Sequence, residues 1–225
     1  MENLVSVLGT GRMGKALVKT LAPHVGRLRW GTRDPQKLAA LIEKEEGLSH
    51  VEACSYEKAL DNRIIIHTLW LRHLLPLAEA NREQLAEKIL VDVTNPFTED
   101  FTDFILPWGT SAAEQIQQAL PQTSVVGAFK NTYFQVFDQP VHQGMVSDCF
   151  VTSDVEDAKR QVLSLFARLP FRLLDGGALA NNRTIERMTL FEREIALRYK
   201  SYPYVSLRLF GIDEQPREER EASAE

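Results

Sequence analysis

The sequence predicts an α/β fold with a doubly wound, mostly parallel sheet. From residue 4 to residue 130, short apolar runs typical of buried parallel strands alternate with amphipathic helical stretches. The first run, Leu4–Leu8, leads directly into glycines with GxGxxG spacing at Gly9, Gly11 and Gly14, and a helical pattern follows them. A strand, a glycine loop and a helix in this order begin a Rossmann-type nucleotide-binding unit.

The glycine loop predicts a phosphate site. Gly9 is expected to allow the tight turn, Gly11 the approach of a pyrophosphate to the backbone, and Gly14 the close packing of helix on strand. Free N–H groups and the positive dipole end of the helix would bind the anion. A merely structural turn is the alternative. The predicted contacts are Gly9, Thr10, Gly11, Arg12, Met13 and Gly14.

The end of the second predicted strand indicates which nucleotide binds. Residues 27–30 form this strand, and no acidic residue occurs at 30–33 to hold the ribose hydroxyl of NAD. Thr32, Arg33 and Lys37 form a cluster suited to the 2′-phosphate of NADP, because a guanidinium can bind phosphate through two bonds. A solvated basic corner is the alternative interpretation.

Asp34 is the rival ribose ligand. It stands directly before Pro35, at the start of a helical pattern that continues to Glu46. Aspartate at the N-cap with proline at the first helical position is a common structural arrangement. We therefore expect Asp34 to cap this helix.

The rest of the first 130 residues continues the alternation. The predicted elements are a strand at 51–54, a short helix capped by Ser55, a strand at 63–69, a helix over 71–87 kinked or restarted at Pro76, a strand at 89–94, a loop at 97–109, a helix from Ser111 to about Leu120 and a strand at 124–129. Right-handed crossovers between such strands give a doubly wound sheet.

The pattern loosens after residue 130. Residues 131–147 show no assignable element, strands at 149–152 and 171–174 flank a helix at 154–168, and a long helix covers about 179–199. We predict a Rossmann domain for NADP over residues 1–130. A small C-terminal α/β appendage over 131–212 ends in the long helix, and a disordered charged tail follows over 213–225.

Composition narrows the possible partners. The net charge of −5 gives no reason to expect nucleic acid or an anionic membrane. Cys54 and Cys149 are isolated, so we expect two buried thiols rather than a disulfide, and no metal site. No apolar run approaches the roughly 20 residues of a membrane helix. We expect a soluble, cytoplasmic protein that acts on a small molecule.

Ligands of open parallel sheets bind beyond the carboxyl ends of the strands. The predicted ends lie at 9–13, 31–33, 68–70, 94–96 and 128–130, and they supply backbone, amide and apolar groups. No Ser-His-Asp set and no paired carboxylates occur among them. Hydride transfer between two conjugated rings suits such a site, because the protein mainly has to hold two ring faces about 3–3.5 Å apart.

Several side chains near these ends have two interpretations. His67 is expected to be a core histidine rather than a catalytic base. His73 and Lys130 are the candidates for a catalytic role, with a solvated lysine as the alternative for Lys130. Trp70 would cover a ring system or close the core. Asn95-Pro96 would form a rigid turn under a nicotinamide.

Together, several segments resemble a known family. These are the glycine loop, Gly31–Arg33, Ile89–Pro96, Ser124–Phe129, Asp157–Lys159 and the segment Leu173–Leu179 leading to Glu186. This combination resembles the NADPH-dependent coenzyme F420 (deazaflavin) reductases. It is similar also to the cytosolic reductase domain of the six-transmembrane ferric and cupric reductases.

The resemblance implies the identity and place of the ligands. NADP(H) would lie on Thr10–Met13 with Thr32 and Arg33 at its 2′-phosphate, and its nicotinamide near Trp70, Thr94–Pro96 and Ala128. Coenzyme F420, or FAD or FMN, would stack on the nicotinamide. The resemblance also implies a homodimer in which the C-terminal helices take part.

One departure concerns the second ligand. In the metalloreductases an aromatic residue for the flavin follows the sixth strand, whereas here Gln135 falls near that place, surrounded by Tyr133, Phe134 and Phe137. We expect a deazaflavin as the first acceptor and a flavin as the second. The alternatives are a reductase of a small imine or carbonyl compound, similar to pyrroline-carboxylate reductases, and a non-catalytic redox sensor for NADP(H).

Overall fold

The computed structural model describes residues 4–212, and its centre is a parallel sheet of six strands in the order β3-β2-β1-β4-β5-β6. The strands are β1 (Leu4–Leu8), β2 (Arg27–Thr32), β3 (Val51–Ser55), β4 (Ile64–His67), β5 (Ile89–Asp92) and β6 (Ser124–Gly127). The order grows outwards from β1 in both directions, which is the doubly wound topology. The predicted fold class is confirmed, while the predicted tail at 213–225 lies outside the described residues.

Helices cover both faces of the sheet. They are α1 (Arg12–Leu21), α2 (Pro35–Ile42), α3 (Tyr56–Ala59), α4 (Leu71–Ala80), α5 (Arg82–Leu85) and α6 (Ala112–Ala119). Val5 and Val7 pack in one core cluster with α1, whereas Leu8 packs in the other with α4 and α6. Alternate side chains of β1 thus point to opposite faces, as strand geometry requires. The near-continuous apolar runs in the sequence reflect burial on both faces.

Three helices begin at the predicted caps. The side chains of Asp34, Ser55 and Ser111 accept bonds from the backbone N–H groups of Lys37, Lys58 and Glu114, at 3.0, 3.2 and 3.2 Å respectively. Each bond satisfies one of the N–H groups that a helix start leaves unpaired. The capping role predicted for Asp34 is confirmed.

The helix predicted over 71–87 is divided at a different place. It was expected to be kinked or restarted at Pro76, but no restart occurs there, because α4 continues through this proline and ends before Asn81. The side-chain amide of Asn81 donates to the carbonyl of Leu77 at 2.8 Å, and α5 then begins at Arg82. Asparagine therefore ends the helix by satisfying one of its free carbonyls.

The unassigned segment 131–147 contains a 3₁₀ turn, Phe134–Phe137, and a hairpin of β7 (Val141–His142) with β8 (Met145–Val146). Gln143 and Gly144 connect the two strands with φ values of 51° and 82°. Two consecutive residues of positive φ form the turn that matches strand twist in hairpins, and Xaa-Gly is a frequent sequence there. The Gln143-Gly144 pair was the overlooked signal.

The C-terminal part is a small α/β appendage, as predicted. Strands β9 (Asp148–Val151) and β10 (Arg172–Asp175) pair in parallel around α7 (Glu156–Phe166), and the long α8 (Asn182–Arg198) follows. Gly127 and Thr152 exchange two backbone bonds of 2.9 Å, which attach β9 to the edge of β6. The domain boundary at residue 130 stays a prediction. None of the helices within residues 4–212 is long and apolar enough to cross a membrane.

Candidate nucleotide and acceptor site

The glycine loop between β1 and α1 is tightly constrained. Gly9 has a φ of +103°, and its N–H donates to Gly31 O at 3.0 Å. The buried indole of Trp30 donates to Gly9 O at 2.8 Å. A Cβ on Gly14 would lie 2.1 Å from Gly9 O. Gly9 therefore makes the turn and Gly14 permits the close approach of α1 to β1.

Gly11 has space around it instead. It is the N-cap residue of α1, and no side chain caps this helix. A Cβ added to Gly11 would meet no atom within 4 Å. The first N–H groups of α1 thus begin beside open space, where an anion can bind them. This geometry fits a pyrophosphate.

The basic corner lies at the end of β2. Arg33 and Lys37 are exposed, and within residues 4–212 neither side chain forms a hydrogen bond or an ion pair. Thr32 is buried, and its hydroxyl accepts a bond from the N–H of Asp34 at 3.3 Å. Asp34 uses its carboxylate as the helix cap. The corner therefore presents two cations without a protein counter-ion, which fits a phosphate dianion.

A cavity of about 360 Å³ extends from the glycine loop across the ends of β1, β4 and β5. Its lining consists of Gly11, Arg12, Met13, Thr68, Leu69, Trp70, Val93, Thr94, Asn95, Phe97, Phe101, Thr132, Tyr133, Phe134, Thr189, Arg193 and Tyr202. Most of these residues are apolar or aromatic, and a few polar groups stand among them. This composition is typical of pockets for ring-shaped ligands.

The cavity brings together only some of the predicted contacts. Gly11, Arg12, Met13, Trp70, Thr94 and Asn95 line it. Pro96 and Ala128, expected beside the nicotinamide, are buried and do not line it. His73 is exposed on the first turn of α4 and does not line it either. Trp70 is half-buried, with its ring centroid 5.8 Å from that of Phe101.

The floor of the cavity is fixed by side-chain hydrogen bonds. The hydroxyl of Thr94 donates to Leu69 O at 2.8 Å. The amide of Asn95 donates to Lys130 O at 2.7 Å and lies 3.3 Å from the hydroxyl of Thr189. The turn after β5 is thereby connected to β4, β6 and α8. A ring lying on this turn would meet a floor that is already ordered.

His67 lies beneath the floor and is fully buried. Its Nε2 is 3.0 Å from Asp92 Oδ1 but makes no hydrogen bond of acceptable angle, and its Nδ1 is 3.4 Å from the Thr94 hydroxyl. This position matches the expected core histidine, and His67 does not line the cavity.

Lys130 requires a correction. It was expected to lie near a ring or in solvent, but it is 1% exposed and does not line the cavity. Its ammonium donates to Asp92 Oδ2 at 2.6 Å, Thr94 O at 2.6 Å and Glu186 Oε1 at 2.8 Å. The physical reason is that two buried carboxylates attract the cation inwards. Lys130 therefore connects the cavity floor to α8.

The ionisation of this cluster follows from its burial and charges. Burial opposes the charged form of Asp92, but the Lys130 ammonium and the neighbouring His67 ring hold its pKa below the usual range. Burial likewise disfavours the Lys130 ammonium, yet Asp92 and Glu186 raise its pKa. Burial raises the pKa of Glu186, in part against the effect of Lys130. An ion pair of Lys130 with Asp92 is thus the stable centre of the cluster.

The sequence reasoning missed seven lining residues, and two of them, Val93 and Thr132, adjoin residues that it named. The other five lie in other parts of the chain. They are Phe97, Phe101, Thr189, Arg193 and Tyr202. Two come from the loop 97–109, which has no period, and three come from α8 and the segment after it. One signal was available for α8, because Glu186 and Glu192 interrupt its buried face at Ile185, Thr189 and Ala196. Acidic residues on a buried face indicate a polar site nearby.

Comparison with known proteins agrees with this geometry. Residues 4–96 match the family model described as NADP oxidoreductase, coenzyme F420-dependent. The F420-dependent NADP reductase of Methanocaldococcus jannaschii is 28% identical over 209 residues, covering 86% of this chain and 92% of that protein. The chain is thus similar to an F420-dependent NADP reductase over most of its length. The resemblance found in the sequence is thereby confirmed.

Two further matches complete the comparison. Rat metalloreductase STEAP3 is 27% identical over 186 residues, and the match covers 83% of this chain but only 36% of that protein. A crystal structure from Arthrobacter sp. FB24, provisionally assigned as an F420-dependent NADP-reductase, superposes with a TM-score of 0.75 at 24% identity. It covers 88% of this chain and 95% of the other, and it supports the fold.

Proposed function

We propose that this chain is an NADPH-dependent oxidoreductase that transfers hydride between NADP(H) and a deazaflavin of the coenzyme F420 type, with FAD or FMN as the second candidate acceptor. One observation carries the proposal. A single cavity joins the uncapped N-terminus of α1 to a chamber of aromatic side chains over an ordered floor. The name of the Methanocaldococcus jannaschii relative supports the same pair of ligands.

The nucleotide would bind along the loop and the basic corner. The N–H groups that follow Gly11 would hold the pyrophosphate, and Arg33 and Lys37 would hold the 2′-phosphate. The nicotinamide would then lie on the floor formed by Thr94 and Asn95. Bound NADPH supplies the hydride, and the role of these residues is to hold its ring against that of the acceptor.

The acceptor would occupy the aromatic part of the cavity. Trp70, Phe97, Phe101, Tyr133 and Tyr202 offer ring faces and edges to a planar conjugated ligand. Hydride transfer to such a ligand needs no catalytic acid from the protein, because the proton that accompanies the hydride exchanges with solvent.

Reduction of an imine or carbonyl compound is less well supported. That reaction needs a proton donor beside the nicotinamide. His73 is exposed and does not line the cavity, and the Lys130 ammonium lies in the buried cluster. The Tyr133 hydroxyl donates to Thr189 O at 2.6 Å, and burial raises its pKa. None of these candidates has a proton available at the cavity.

We also propose that the protein is a cytoplasmic homodimer, in which residues 1–130 bind NADP(H) and residues 131–212 complete the acceptor site. Phe191, Ile195 and Tyr199 recur every fourth position along α8, with exposed fractions of 67%, 36% and 77%. Residues four apart share a face of a helix, so these side chains form an apolar stripe. The stripe supports contact between the C-terminal helices of two copies.

The direct test is to mix the protein with NADPH and each acceptor in turn and to follow the near-ultraviolet absorbance of NADPH. We expect oxidation with a deazaflavin, slower oxidation with FMN or FAD, and little with a cyclic imine. Turnover of the imine alone would overturn the proposed acceptor. Binding of NADPH without turnover of any acceptor would indicate the redox sensor instead.

A further inference from the structure

The charged side chains that line the cavity are all positive in the described part of the chain. Two arginines line it, and no acidic side chain within residues 4–212 does so. Arg12 lies over the ring of Phe134 at 4.7 Å, and Arg193 lies over the ring of Tyr202 at 5.7 Å. The protein as a whole carries a net charge of −5, so this positive excess is local. A cavity lined by one sign of charge attracts ligands of the opposite sign.

The guanidinium of Arg193 is not neutralised by the protein. It forms no ion pair in the described part of the chain, and its Nε is buried without a hydrogen-bond partner. A buried donor without a partner is unfavourable, and no acceptor in the described part of the chain satisfies this one. Arg12 is the first residue of α1, directly after Gly11, and therefore lies at the nucleotide end of the cavity. Arg193 is therefore the cation available to the acceptor.

The acidic neighbours of Arg193 do not compensate its charge. Both oxygens of Glu192 are buried without a hydrogen-bond partner, so this carboxyl forms no hydrogen bond with Arg193. Burial raises the pKa of Glu192 to about 8, which leaves it largely protonated at neutral pH. Glu194 is paired with Arg198 at 2.7 Å. A net positive charge therefore remains at this wall.

We infer that the acceptor is an aromatic anion and that Arg193 selects it by bonding its negatively charged group. This inference rests on the proposed function, since it places the acceptor in the same cavity. An ionised ring hydroxyl and a phosphate ester on the ring substituent both provide this chemistry, and a guanidinium binds either through charge-assisted bonds. A flavin without a phosphate, such as riboflavin, lacks both groups, and an iminium substrate carries the opposite charge.

Three probes separate the two sources of negative charge. Riboflavin carries neither group, FMN carries the phosphate, and 8-hydroxy-5-deazariboflavin carries the ionisable ring hydroxyl. Their affinities would be measured by calorimetry with NADP⁺ present. The variant is Arg193→Gln, and the matched control is Arg198→Gln on the exposed side of the same helix, 70% exposed at its side chain.

Arg193→Gln should weaken the probe whose anion it contacts by about 10- to 100-fold. Riboflavin should change by less than about 3-fold, since it makes no charge-assisted bond. Loss confined to FMN identifies the phosphate, and loss confined to the deazariboflavin identifies the ring hydroxyl. Arg198→Gln should leave all three affinities unchanged.

Two results would overturn the inference. One is an equal loss for riboflavin and both anionic probes, which would make Arg193 a structural residue. The other is no loss for any probe in a folded variant. Both leave the proposed function standing if the wild-type protein binds the probes and turns them over. Failure of the wild-type protein to bind any probe would instead remove the proposed acceptor and this inference together.

Discussion

Replacement of Lys130 by methionine should destabilise the fold strongly. The ammonium bonds Asp92 and Glu186, and both side chains are 0% exposed. Methionine keeps most of the aliphatic stem but removes the charge, so two buried carboxyl groups lose their cation. Removing one partner of a buried ion pair typically costs about 3–5 kcal/mol. We expect at least this loss in the free energy of unfolding.

The chain offers a matched control in Lys159. Its side chain is 6% exposed, but its partners Glu156 and Asp175 are 71% and 50% exposed. Those carboxylates stay hydrated without their cation, so Lys159→Met should cost only about 0–1 kcal/mol beyond small packing effects. Urea unfolding at neutral pH, followed by circular dichroism, compares the two variants.

Glu186→Gln provides the second arm. Combined with Lys130→Met it removes one uncompensated carboxylate, so the double variant should be more stable than Lys130→Met by at least about 1 kcal/mol. The double variant also keeps the test usable if the single one does not fold. A loss below about 1 kcal/mol for Lys130→Met, or equal losses for both lysines, would refute the assignment of Lys130 as the centre of a buried ion cluster.

Four further predictions concern single positions. Gly11→Val should abolish binding of NADP(H) and NAD(H) in a folded protein, because φ at this residue is −70° and the added side chain fills only ligand space; unchanged affinity in calorimetry would contradict this. Arg33→Ala should cost about 1.5–3 kcal/mol of NADPH binding, roughly 10- to 150-fold, and leave NADH almost unaffected. Equal losses for the two nucleotides would make Arg33 structural. The folded-state pKa of Glu192, about 8 against 4.5 ordinarily, means that the folded protein holds an extra proton in this window, so stability falls as pH rises through it. Glu192→Gln should remove about 3–5 kcal/mol of this pH-dependent loss of stability. Urea midpoints measured at the lower and upper ends of this pH range would contradict this if they decreased equally in the variant and in the unchanged protein. Phe191→Glu should convert the proposed dimer to a folded monomer in sedimentation experiments, and a persistent dimer would exclude Phe191 from the interface.

The first half of the fold could be predicted because its signals are local. The glycine loop, the caps at Asp34, Ser55 and Ser111, and the apolar runs each depend on neighbouring residues, and each occurs where the sequence indicated. The end of α4 was not predicted correctly, because a proline was expected to interrupt the helix and the role of Asn81 was overlooked. The amide of Asn81 can satisfy a free carbonyl, whereas α4 tolerates the proline.

The residues that line the cavity were predictable mainly at the glycine loop and at the strand ends. Lys130 follows a strand and reads as a charge at the cleft, yet its position depends on Glu186, which lies 56 residues further along the chain. Arg193 and Tyr202 reach the cavity through the packing of α8, which no local pattern shows. Contacts between residues far apart in the sequence therefore determine which side chains form the acceptor wall, and residue types alone do not reveal such contacts.

The family model covers residues 4–96, which supply the glycine loop, the basic corner and the floor at Thr94 and Asn95. Most of the acceptor wall, including Phe101, Tyr133 and Arg193, comes from residues after 96. The polar bonds of Lys130 and Thr189 fix α8 against the floor, so its side chains can change while the nucleotide end stays the same. The similarity therefore supports NADP(H) more strongly than any particular acceptor, and Arg193 is the position at which acceptor binding should be tested first.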